Sequence, residues 1–139
     1  MTKRILVFLL VFSSCEASFA KPNIPEELPT ISAAAQRNGC AGDDLLVLLA
    51  VRMAEDGPVG LEFGIMHPKA ARTDLDTQAA WSAATIVKNR QRWIGARRPG
   101  DFIGFLADRY CPASADPEGN KNFKRNVRYF FEKFKQVKK

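Results

Sequence analysis

The sequence predicts a small, mainly α-helical domain. Three observations carry that expectation. "LLVLLAV", residues 45–51, is apolar on every side, as a helix buried all round must be. Leu75, Ala79, Ala83, Ile86 and Trp93 recur at helical spacing, as do Phe123, Val127, Phe130, Phe131, Phe134 and Val137. No stretch alternates apolar and polar residues convincingly enough for a strand.

Residues 1–20, "MTKRILVFLLVFSSCEASFA", read as a secretory signal peptide. Lys3 and Arg4 start it, and the apolar run Ile5–Phe12 is far shorter than the ~20 residues of a membrane span. Small residues stand before Lys21, where cleavage is expected. "FSSC" offers an alternative, a lipoprotein anchored at Cys15. The protein is thus expected to be exported, either periplasmic or secreted, or held by that lipid.

Residues 21–29, "KPNIPEELP", carry three prolines and read as an extended linker. A single domain follows over 30–139. Thr30 is expected to cap a short helix that Asn38-Gly39 ends. Asp43 or Asp44 is expected to cap the central helix, 44–55. Gly57, Pro58, Gly60 and Gly64 make 56–73 an irregular, Gly-rich loop with room for a small hairpin. Asp74 or Asp76 starts a third helix, which Gly95 and "RRPG" end. Asp101 caps a short helix with Phe102, Phe105 and Leu106 on one face. "YCPASADPEGN" is a loop before the last amphipathic helix.

The formal charge is +6, and the leader accounts for little of it. The C-terminal stretch holds Lys121, Lys124, Arg125, Arg128, Lys133, Lys135, Lys138 and Lys139 against Glu132 alone. Such a helix either lies on a membrane surface or packs by its phenylalanines and leaves a solvated basic face. The packed arrangement is the favoured one. An exported basic domain meets anionic envelope polymers, and export argues against a nucleic-acid partner. Membrane contact is expected only through Cys15 or this helix, and nothing demands an oligomer, so a monomer is expected.

After cleavage two cysteines remain, Cys40 and Cys111. In an oxidising compartment they suggest one disulfide, stabilising by roughly 4 kcal/mol across so long a loop. Two buried free thiols are the alternative. His67 is the only histidine, without metal-ligand spacing around it. No zinc motif, phosphate-binding Gly loop or Gly-x-Ser-x-Gly elbow occurs, so no metal or cofactor is implied.

Glu55 is the candidate site residue. It ends the most apolar helix, where burial and the negative end of the helix dipole both raise a carboxyl pKa. A carboxyl that keeps its proton near neutral pH is what general-acid catalysis needs. The structural alternative is a surface pair with Arg52 one turn earlier, with Gly57 as an ordinary C-cap.

"AEDGPVGLEFGIMHP", "QAAWSAATIVKNRQRW", "FIGFLADRYCP" and "DPEGNKNFKRNVRYFF", in that order, resemble the endo-β-N-acetylglucosaminidase branch of the lysozyme-like superfamily. The resemblance spans residues 43–134 and implies a lysozyme-like helical fold. It implies cleavage of peptidoglycan β-1,4 bonds with Glu55 as the catalytic acid. Similar sequences carry Asn after this Glu; this chain has Asp56, which either raises the Glu55 pKa further or marks an inactive copy. Phe63 and Tyr110 are the candidate sugar-stacking aromatics, with a place in the core as the alternative for each, and Gln78 is a candidate hydrogen-bonding partner of sugar hydroxyls. Glu62, Asp74, Asp76 and Asp116 are candidates for a second carboxylate. Two competing functions stay open: a non-catalytic binder of envelope polymers on the same fold, and a secreted effector acting through its basic helix.

Overall fold

The computed structural model describes residues 24–137. The described chain is helical, without strands. Five helices run α1 (Ile24–Arg37), α2 (Asp43–Glu55), α3 (Leu75–Gly95), α4 (Phe102–Tyr110) and α5 (Pro117–Val137). The expected mainly α class is what the molecule adopts. The expected hairpin in 56–73 is absent; that segment consists of turns. The signal peptide, Cys15 and most of the expected linker lie outside the described residues.

Helix α2 is the centre. Val47, Leu48, Ala50 and Val51 are all at most 1% exposed. Its polar neighbours tell the direction of the helices around it. Asp44, at its start, takes both Arg90 Nε and Nη2, at 2.9 and 2.7 Å, so α3 runs antiparallel to it. α4 and α5 form an antiparallel hairpin. Asp101 at the start of α4 holds Arg128 through two bonds of 2.8 and 2.9 Å, while Asn120 donates to the Cys111 carbonyl at the other end. Phe123 and Val127 enter the core, and Phe130, Phe131 and Phe134 pack beside it. α5 is therefore the packed amphipathic helix the sequence favours.

Two starts differ from expectation. α1 begins at Ile24, not Thr30, so residues 24–29 of the expected linker are helical. Pro25 stands in the first turn, where no intrahelical N–H is required. Pro29 forfeits one bond. What holds this turn is tertiary: Glu27 receives Arg52 Nε and Nη2 at 2.8 Å each, with Arg52 only 5% exposed. A bidentate pair of this kind offsets the cost of burying the guanidinium. α2 begins at Asp43, so its cap residue is Gly42, which has no side chain to make a cap bond, and Asp44 inside the helix is engaged with Arg90. Asp74 and Asp101 do cap α3 and α4, accepting from Thr77 and Gly104 N–H. α5 starts at Pro117, earlier than its aromatic stripe, with the Asp116 carboxylate accepting from Gly119 N–H at 2.9 Å.

Cys40 and Cys111 are free thiols. Cys40 lies by Asp44 and Arg90 at the start of α2, whereas Cys111 feels Glu55 at its end. A helix of 13 residues, about 20 Å long, separates the two neighbourhoods. Their expected disulfide is not formed, since bridged Cα atoms lie within about 7 Å. Burial pushes the Cys40 thiol up to about 12, which leaves it inert.

Candidate functional site

Helix α2 ends at Glu55 because Asp56 turns left-handed, with φ 46°, and donates its N–H to the Arg52 carbonyl. Asp56, rather than Gly57, is thus the C-cap. The chain then folds back on itself. Leu61 N–H returns to Pro58 O and Gly64 N–H to Leu61 O, both at 2.9 Å. This brings Gly64 under the Glu55 carboxylate: a Cβ on Gly64 would lie 2.6 Å from Glu55 Oε2.

The alternative surface pair between Glu55 and Arg52 is not made. Arg52 points inward to Glu27, and its Nη1 donates to the Glu62 and Gly57 carbonyls at 3.2 and 3.4 Å. Glu55 is half-buried, and no ion pair reaches its carboxylate among the described residues. Burial raises its pKa above the usual 4.5. Desolvation is the sole cause, so Asp56 adds nothing to the shift.

The three expected sugar-binding residues have other roles. Phe63 is fully buried in the core and offers no ring face to a ligand. Gln78 is equally buried, and its amide is saturated. Its Oε1 accepts from Phe63 N–H and Ile65 N–H at 3.2 Å each, while Nε2 donates to the carbonyls of Ile65 and Ala70 at 3.0 and 2.9 Å. Gln78 therefore fastens the loop that carries Gly64. Tyr110 donates its hydroxyl proton to the Phe63 carbonyl, so the Ser82 hydroxyl must donate to Tyr110 Oη, 3.2 Å away. One face of the Tyr110 ring stacks on Phe123, with centroids 5.1 Å apart. Burial drives its phenol strongly upward, with the Glu55 charge adding to the effect. Tyr110 is thus a half-buried strut beside Glu55, with its hydroxyl and one ring face already engaged.

The carboxylate candidates divide. Asp74 caps α3, Asp76 pairs with Arg37 at 2.6 Å, and Glu62 is 4% exposed with Oε2 unpartnered. Asp116 shares a neighbour with Glu55, since both raise the Cys111 thiol. Among the described residues no group of three or more His, Cys, Asp or Glu could hold a metal.

A surface pair missed by sequence reasoning flanks this loop. His67 stacks on Trp81 with centroids 4.5 Å apart and an interplanar angle of 26°. Met66 beside them is 69% exposed. The signal was legible: Trp81 lies one turn after Gln78 on α3, on the side that holds the loop. A separate cleft of about 360 Å³, between Val47, Phe102, Ile103 and Phe131, lies at the opposite end of α2 from Glu55. The chain matches no known family, no curated protein and no solved structure.

Proposed function

We propose that this chain is an exported enzyme that cleaves a glycosidic bond of peptidoglycan, with Glu55 as the general acid. One observation carries the reading. Glu55 is half-buried and pairs with no cation among the described residues, although Arg52 stands one turn away and is committed to Glu27. A carboxyl so placed keeps its proton to higher pH and can deliver it to a leaving glycosidic oxygen. Gly64 packs its backbone against one side of the carboxylate, where a Cβ would lie 2.6 Å from Oε2. Asp116, or groups of the sugar itself, would complete the reaction. Export through residues 1–20, with or without lipid at Cys15, and action as a monomer belong to the same proposal.

A second reading is a glycan-binding domain without catalysis. Burial alone raises the Glu55 pKa, with no second carboxylate contributing, and that favours it.

The test is release of muropeptides or reducing ends from purified peptidoglycan by the protein and by Glu55→Gln. The enzyme reading expects cleavage by the first and a loss of about 10²–10⁴-fold in the second. Retention of both proteins on the sacculus with cleavage by neither selects the binding domain.

A further inference from the structure

The end of the bundle opposite Glu55 carries a second surface. Residues 88–100, "KNRQRWIGARRPG", hold Lys88, Arg90, Arg92, Arg97 and Arg98 and no acid. Arg90 turns inward, pairing with Asp44 and lying 3.5 Å over the Phe102 ring. The other four are exposed, and none makes an ion pair among the described residues. Asp101, the next acid along the chain, is held by Arg128. Lys88 and Arg92 stand one turn apart, about 6 Å along the helix. Arg97 and Arg98 follow in the turn that closes α3, also exposed.

The backbone here is strained in a way the fold does not require. Arg97 and Arg98 have φ of 65° and 55°, the region glycine occupies after helices. The amides of Ala96, Arg97 and Arg98 close α3 by bonding the carbonyls of Arg92, Ile94 and Trp93. Glycine would make those same backbone bonds with less strain. Two arginines stand instead, and strain kept on a surface is a mark of use.

The chemistry of the corner narrows the ligand. Trp93 is not free to stack on a base: its Nε1 donates to the Gly100 carbonyl, and Arg90 and Arg98 lie 5.1 and 5.8 Å from its centroid. Ile94, 47% exposed, is the one large aliphatic side chain exposed here, too little to enter a bilayer. What remains is a cluster of exposed cations, three of them forked guanidiniums that match phosphate oxygens.

We propose that the α3–α4 corner binds a linear, phosphate-bearing polymer through Lys88, Arg92, Arg97 and Arg98. The proposal is independent of the role of Glu55. The full chain is titrated with long-chain inorganic polyphosphate over a range of salt concentrations. The same is done for Arg97→Gly/Arg98→Gly and for an equal charge loss on α5, Lys121→Gln/Arg125→Gln. The corner variant is expected to bind about tenfold more weakly, and its log K against log salt slope to flatten by about 1.4. Its melting temperature is expected to hold or rise, and the α5 variant to bind like the parent. No binding by the parent, or unchanged affinity in the corner variant, overturns the proposal. So does an equal loss in the α5 variant, an equal affinity for polyglutamate, or binding to phosphatidylglycerol vesicles but not to polyphosphate.

Discussion

The two ends of the bundle treat irregular backbone in opposite ways. At the Glu55 end the loop packs backbone on backbone. A Cβ on Gly57 would fall 1.7 Å from the Leu61 carbonyl oxygen, and one on Gly60 2.8 Å from Arg72 Cα. At the other end, Gly42, Gly95 and Gly100 have nothing within 4 Å of the same position. Left-handed residues other than glycine occur at both ends, Asp56 and Arg72 at one, Arg97 and Arg98 at the other. One end is locked by close approach and a buried amide. The other is closed by helix-terminal hydrogen bonds and leaves its side chains in solvent.

The largest expected effect tests the lock. Gly57→Ala forces a methyl into backbone that cannot yield as a side chain would, and should cost about 3 kcal/mol or more. Gly95→Ala, at the open end of α3, should instead add about 0.5–1 kcal/mol through reduced unfolded-state freedom. Urea unfolding of both variants measures the difference. Equal effects would erase the contrast between the ends.

Gln78→Leu comes next. It keeps the side-chain bulk but strands the N–H groups of Phe63 and Ile65 and the Ile65 carbonyl, while the Ala70 carbonyl keeps the Thr73 hydroxyl. A loss of about 3 kcal/mol is expected. Hydrogen exchange should show the amides of Phe63 and Ile65 released first, ahead of those in α2. Exchange that rises evenly through the domain would show that the loop is held by something other than this amide.

Gln78 also shows where the sequence stopped being legible. The helices could be read, because Leu48, Val51, Ile86 and Phe123 repeat at helical spacing and each is buried. Glu55 at the end of α2 could be read for the same reason. The partners of polar groups could not, since they depend on contacts distant in sequence. Arg52 and Glu27 are 25 positions apart, and Tyr110 and the Phe63 carbonyl 47. Phe63 lies in a loop, where aromatic rings are commonly exposed, and only the fold-back fastened by Gln78 buries it. α1 began early for a related reason: local proline content argues for a linker, but the Glu27–Arg52 pair overrides it. The disulfide expectation rested on compartment and number, which carry no information about distance.

The smallest expected effect on stability is also the one that bears most directly on Glu55. Burial raises its pKa above 4.5 in the folded chain. Well below that value Glu55 is protonated folded or unfolded, and its ionisation does not oppose folding. As pH rises, the unfolded chain ionises first, and the folded chain must then either hold the proton or bury a charge. Stability from this group is therefore lost as pH climbs through the folded pKa. Glu55→Gln cannot ionise and escapes the loss. Its melting temperature should match the parent near pH 4, exceed it as pH approaches 7, and level off once Glu55 is ionised in both states. A gain independent of pH would mean that folding does not raise the Glu55 pKa, and a loss at pH 7 that the fold favours the carboxylate; the general-acid role would fail in either case. The corner variant Arg97→Gly/Arg98→Gly serves as the contrast. Arginine stays charged throughout this window, so removing it should not introduce a pH dependence of its own. A pH-dependent gain confined to Glu55 would place the titrating strain at the locked end of the bundle, leaving purely conformational strain at the open one.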